Sequence, residues 1–166
     1  VRVLKGTCRN NNVKNVVVDA NIFISTLISF PTNLRILRPF RYNLYAPSKL
    51  IEEIRNNKIM ICEKARCEPR DFDNNFNAVL KLVRIIEYTE YKKYLERAAQ
   101  ALGPEHPADA HYLACALHVK ALFIWTNDKD FSRQAIMPAK NTKQVFIRIK
   151  IFKYLDYWIS RGIRER

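Results

Sequence analysis

Four acids stand where a shared chemistry is open to them. Asp19 follows the apolar run Val16-Val17-Val18, Glu53 lies in APSKLIEEI, Asp109 comes two residues after Pro107, and Asp128 follows LFIWTN. A carboxylate at the end of a buried run is costly to desolvate, so it sits at a solvated mouth or against a counter-charge that the chain does not supply. Carboxylates brought together repel one another and take raised pKa values unless a hard divalent cation balances them. An all-oxygen shell suits Mg2+ or Mn2+, which keep several of their waters. The chemistry to which such a cluster points is phosphodiester hydrolysis. One ion lowers the pKa of the attacking water, and a second, roughly 3.5–4 Å away, stabilises the leaving oxygen.

Each acid has a plainer reading taken alone. Asp19 could cap the helix that follows it, Asp109 and Asp128 could be first-turn acids favoured by helix dipoles, and Glu53 could belong to a solvated helix face. Those readings leave the common position of the four unexplained, and that position depends on the elements that carry them. Residues 14–19 (KNVVVD) read as a short buried strand and 21–29 as a helix. A strand at 42–46 stops at Pro47-Ser48, and Ser48 is expected to cap a helix running to about 57. Residues 59–82 are helical with a break near Pro69, 84–88 is a third strand, and 90–102 is a helix closed by Gly103-Pro104. Pro107 opens a further helix, 121–126 is a buried strand, and 144–150 (QVFIRIK) is expected as a last strand before a C-terminal helix near 151–161. Alternating strands and helices imply a three-layer α/β/α domain with a mostly parallel central sheet. In such sheets functional groups gather beyond the carboxyl ends of the strands, which is where all four acids fall.

The totals agree with one domain spanning residues 1–166, in which 141–166 forms a basic C-terminal strand and helix extension. Three glycines and seven prolines argue against long flexible linkers. Lys and Arg number 29 against 16 Asp and Glu, a net charge of +13, which favours nucleic acid over an anionic membrane as the partner. No apolar run approaches the roughly 20 residues of a membrane span, and residues 1–15 lack a signal-peptide core, so a soluble cytoplasmic protein is expected.

The remaining reactive side chains invite bland assignments. Cys8, Cys62, Cys67 and Cys115 lack CxxC spacing and read as free thiols, with Cys115 a small core residue. Cys62 and Cys67 lack the second pair that a zinc site requires. His106 and His111 flank Asp109 at a spacing of five, which does not put both on one helix face, so they read as a helix-start and a surface histidine. His118 shares an apolar stripe with Leu113, Ala114 and Leu117. Trp125 belongs to a buried strand, and Tyr154, Tyr157 and Trp158 follow helical spacing, so core packing comes before base stacking. Lys150, Lys153, Arg161, Arg164 and Arg166 form a weak phosphate footprint.

The stretches VVVDANIFIS, APSKLIEEI and HPADAHYLACALHVKALFIWTNDKDF, in that order and spanning about residues 14–131, resemble a PIN-domain ribonuclease. The resemblance implies a parallel sheet sandwiched by helices and an endoribonuclease dependent on Mg2+ or Mn2+. It casts Asp19, Glu53 and Asp109 as catalytic metal ligands and Asp128 as the fourth or as an outer-sphere support, with Glu52 the rival for the second place. Asn21 and Thr126 would orient carboxylates or water from behind. Asp130 is a further supporting candidate, with a turn-capping surface acid as its plain alternative. Many small members are VapC-like toxins, so the resemblance also brings in a possible antitoxin and a possible homodimer beside RNA. The long charged stretch 59–82 and the basic tail after residue 140 depart from the smallest toxins. A catalytically silent RNA-binding or protein-interaction module on the same fold is the rival reading. An aspartyl phosphatase would want an acid where Asn21 stands.

Overall fold

The computed structural model of the protein describes residues 13–31, 34–37 and 42–148. Strand β1 (Lys14–Val18) carries Val16, Val17 and Val18, all completely buried, because it lies at the centre of the sheet with neighbours on both sides. On one side lie β2 (Tyr42–Pro47) and then β3 (Val83–Ile86); on the other lie β4 (Phe123–Trp125) and then β5 (Ala139–Lys140). Every pairing is parallel, the order is β3-β2-β1-β4-β5, and Val17 stands between Tyr45 and Ile124. A strand covered on both faces needs no polar alternation, which is why β1 and β4 read as unbroken apolar runs.

Helix α1 (Ala20–Ile28) follows β1 and packs with α2 (Leu34–Leu37), α3 (Lys49–Asn56), α4 (Lys58–Ala65) and α5 (Pro69–Leu80). Phe23 of α1 meets Phe76 of α5 edge to face, and Phe76 stacks on Phe72. The second group comprises α6 (Tyr88–Tyr91), α7 (Leu95–Leu102) and α8 (Pro107–His118), with α8 laid against β1, β2 and β4. Ala110, Ala114, Cys115 and Ala116 of α8 are buried, and side chains this small let the helix approach the sheet closely. The result is the expected three-layer α/β/α arrangement with an all-parallel sheet.

Three local expectations need correction. The segment expected as a last strand, 144–150, is helical from 142 to 148, and β5 instead pairs with the edge of β4. Asn141 and Gln144 form a reciprocal capping box, each backbone N–H donating to the other's side-chain oxygen at 3.0 and 2.9 Å, and this starts the helix despite the β-branched composition. Second, the helix expected over 90–102 is interrupted by a 3-10 turn at Lys92–Tyr94 between α6 and α7. Third, Ser48 occupies the position before α3 but its side chain makes no capping hydrogen bond. Cys62, Cys67 and Cys115 are free thiols, as expected. Among the described residues no helix is long and apolar enough to cross a membrane. Cys8, the helix expected near 151–161, its aromatic residues and the basic residues from Lys150 onward lie outside the described residues.

Candidate active site

The chain lays down β1, β2 and β3 in one direction and then crosses to place β4 and β5 on the other side of β1. The strand order therefore reverses between β1 and β4, and in open parallel sheets the crevice at such a reversal, beyond the carboxyl ends, is the natural ligand site. Asp19 is the residue after β1, and Thr126 the residue after β4. Helices that connect parallel strands run back against them, so the starts of α3 and α8 return to this same edge and bring Glu53 and Asp109 with them.

Asp19 is 5 % exposed and both its oxygens are engaged. One accepts from the Ala20 N–H at 2.7 Å, capping α1, and the other accepts from the Thr126 hydroxyl at 2.7 Å. Thr126 in turn accepts from the Asn21 side-chain amide at 3.1 Å and from the Asp128 N–H at 2.9 Å. Its single proton and both its lone pairs are thus committed, so Asp19, Asn21 and the Asp128 turn are tied to one hydroxyl. Asn21 also accepts from the Asn127 N–H at 3.3 Å. Asn21 is thus linked to Asp19 through the Thr126 hydroxyl.

Glu53 is half-buried and accepts from the Tyr112 phenol at 2.8 Å through one oxygen, while its other oxygen is buried without a hydrogen bond. Glu52, by contrast, points outward with its side chain 60 % exposed and pairs with Lys49 at 2.8 Å. Asp109 lies in the first turn of α8, with His106 Nδ1 3.5 Å from its carboxylate. Asp128 is exposed and accepts from the Asp130 N–H at 2.9 Å, so it is Asp128 rather than Asp130 that closes this turn. Asp130 pairs with Arg133 at 3.1 Å.

The electrostatics tie the acids together. Burial pushes the Asp19 carboxyl up to about 7 from 3.8; the Thr126 and Ala20 hydrogen bonds oppose that rise, while the charges of Asp109 and Glu53 add to it. Glu53 is raised by burial, lowered by Tyr112 and Lys49, and raised again by Asp109 and Glu52. Asp109 is raised by burial and by Asp128, with His106 opposing and Asp130 adding. The charges of Asp109 and Glu53 thus bear on Asp19, that of Asp109 on Glu53, and those of Asp128 and Asp130 on Asp109.

Such a set lacks a positive charge at its centre. The donors are carboxylate oxygens, which suit Mg2+ or Mn2+, and the buried oxygen of Glu53 without a partner is the kind of atom a cation would satisfy. Among the described residues no three His, Cys, Asp or Glu side chains already form a closed ligating group.

Sequence reasoning missed Tyr112. It lies one helical turn after Asp109, and that spacing of three, which puts both on one face of α8, was the available signal. His111 was expected at the surface but is half-buried, 2.9 Å from the Tyr91 hydroxyl, and burial and the nearby Lys49 hold its pKa down. His106 does precede α8, and one of its ring nitrogens is buried without a hydrogen bond.

Comparison with solved structures gives the same fold at low sequence identity. VapBC2 from Rickettsia felis, solved with a DNA fragment from its promoter, matches at TM-score 0.60 and 17 % identity over 76 % of this chain and 98 % of that one. PAE2754 from Pyrobaculum aerophilum matches at 0.63 and 14 %, over 86 % and 94 % of the two chains. VapBC-1 from nontypeable Haemophilus influenzae matches at 0.55 and 14 %, over 78 % and 98 %. No curated protein sequence matches the chain. The sequence model of the PIN domain matches residues 17–149, which includes all four acids, and the chain belongs to the PIN-domain family.

Proposed function

We propose that the protein is a divalent-metal-dependent endoribonuclease in which Asp19, Glu53, Asp109 and Asp128 hold Mg2+ or Mn2+. The observation that carries this reading is the gathering of Asp19, Glu53 and Asp109, each raised chiefly by burial, beside a buried Glu53 oxygen that has no hydrogen-bond partner. A net charge of +13 supports a polyanionic substrate, since an acidic site in a basic protein has its affinity for nucleic acid supplied from around it.

The chain's own contribution is orientation. Thr126 fixes one oxygen of Asp19, Tyr112 fixes one oxygen of Glu53, and Asn21 locks Thr126 and the loop that bears Asp128. A bound Mg2+ or Mn2+ would supply a water acidic enough to attack at neutral pH and charge to stabilise the leaving oxygen. A VapC-like toxin partnered by an antitoxin is the finer reading that the fold of VapBC2 and VapBC-1 suggests.

The test is cleavage of single-stranded RNA with Mg2+ or Mn2+, with EDTA, and by Asp19→Asn. Cleavage that needs the metal and falls at least about 100-fold in the variant supports the reading. Cleavage that EDTA leaves intact rejects it. RNA binding with no Mg2+ or Mn2+ binding by calorimetry would turn the assignment to a silent RNA-binding module.

A further inference from the structure

Beside the acids, at the same edge of the sheet, lies a second recess. It has a volume of about 260 Å3 and is lined by Ser48, Lys49, Glu52, Tyr88, Tyr91 and His111. Its walls come from the start of α3, from α6 and from α8, and α3 and α8 also carry Glu53 and Asp109. Lys49 lies one turn before Glu53 on α3, and His111 lies two residues after Asp109 on α8.

The lining has two kinds of group. Tyr88 is 47 % exposed, an unusual position for so large a ring, and it is held in place by edge-to-face contact with Tyr91 at 5.7 Å and by His111 at 6.1 Å. An exposed but fixed aromatic face is what an unstacked base requires, and stacking accepts any base because each has a π-face. The polar groups are also ordered. The Tyr91 hydroxyl and His111 Nδ1 lie 2.9 Å apart and share a hydrogen bond. That contact leaves Nε2 as the ring nitrogen through which His111 can meet a ligand. Lys49 brings a cation to the rim, 30 % exposed and paired with the still more exposed Glu52. A larger recess of about 410 Å3, walled by α3, α4 and α5, is a poorer candidate because its two rings, Phe72 and Phe76, are buried and offer no open face.

We propose that this recess is a nucleobase subsite for single-stranded RNA. Tyr88 stacks on one unpaired base, His111 Nε2 hydrogen-bonds to the edge of that base, and Lys49 takes the adjoining phosphate as the strand passes to Asp19, Glu53 and Asp109. The substrate is thereby restricted to unpaired RNA, because a base held in a duplex stack cannot reach the ring. The inference rests on the ribonuclease reading for its substrate, but its test does not depend on catalysis.

Binding of a fluorescein-labelled single-stranded RNA of about 12 nucleotides, measured by anisotropy in EDTA so that no cleavage occurs, provides the test. Tyr88→Ala is expected to weaken binding about tenfold, and Tyr88→Phe, which keeps the ring, to restore it to within about twofold. Lys49→Ala is expected to lower the slope of log affinity against log salt by about 0.7, the value for one phosphate of a single strand, whereas Tyr88→Ala leaves that slope unchanged. Tyr88→Ala binding as tightly as the native protein overturns the proposal, as does a duplex of the same length competing equally well. If metal-dependent cleavage is absent but binding still depends on Tyr88, the nuclease reading fails and the subsite stands. If cleavage depends on Asp19 and Mg2+ but binding ignores Tyr88, the subsite fails alone.

Discussion

At the scale of single residues, the candidate site is built from hydroxyl groups as much as from acids. Thr126 donates to Asp19, and Tyr112 donates to Glu53, so each carboxylate has one oxygen held by the protein. A side chain that fixes a ligand's orientation typically sets metal affinity by 10- to 100-fold. Tyr112→Phe keeps the buried ring and removes only the hydroxyl. We expect it to weaken Mn2+ binding by about tenfold or more in calorimetry, with the far-ultraviolet circular dichroism unchanged. Equal affinity in the variant would mean that Glu53 is positioned without Tyr112. Asp19 and Asp128 were legible from their place after apolar runs and Asn21 only from the family resemblance, but their common anchor was not, because Asn21 and Thr126 are 105 residues apart in sequence.

At the scale of elements, what matters is where helices begin and how they end. The starts of α3 and α8 deliver Glu53 and Asp109, and both were readable from Pro107, Pro47-Ser48 and the apolar periodicity that follows them. The segment 142–148 was misread because Val145, Phe146 and Ile147 favour strands by composition, whereas the Asn141 and Gln144 capping box favours a helix by geometry. The edge of β4 is already occupied by Ala139–Lys140, so no place beside β4 remains for a longer strand. The loop leading into β5 is organised by buried Gln134, whose amide donates to the carbonyls of Phe131 and Met137 and whose oxygen accepts from the N–H groups of Ile136 and Met137. Helix α4 ends on Arg66 in the left-handed region at φ 52°, a conformation that disfavours a residue with a Cβ. Arg66 is exposed, so Arg66→Gly should relieve that strain and raise the melting temperature by about 1–3 °C in calorimetry. A fall would show that the Arg66 side chain contributes more than its backbone costs.

At the scale of the whole molecule, a basic protein carries an acidic centre, and the two should respond oppositely to pH and metal. Asp19 has a pKa near 3.8 when unfolded and about 7 when folded, so between these values the native state binds more protons than the unfolded one. Asp19 therefore contributes a loss of stability to the metal-free protein that grows as pH rises from about 4 to about 7, and below that window it contributes nothing. The upper bound for this one group is about 4 kcal/mol. In EDTA, the melting temperature of Asp19→Asn relative to the native protein should rise progressively across that window, because asparagine cannot ionise. Adding Mg2+ should raise the native melting temperature more at pH 7 than at pH 5, since the ion binds the ionised acids. A difference between native and variant protein that is flat with pH would show that Asp19 is not held protonated by its surroundings.

The sequence by itself determined the alternation of strands and helices, the buried centre of the sheet, the net charge and the presence of acids after apolar runs. All of these are local or additive properties, set by spacing along a few residues or by a sum over the chain. The tertiary structure decided which face of α3 turns inward, and hence that Glu53 rather than Glu52 stands beside Asp19 and Asp109. It also decided that Tyr112 holds Glu53, that one hydroxyl joins Asp19 to Asn21 and Asp128, and that Tyr88, Lys49 and His111 share a recess. Those relations join residues distant in sequence, and no local pattern contains them until β1 and β4 pair and α8 closes over the sheet.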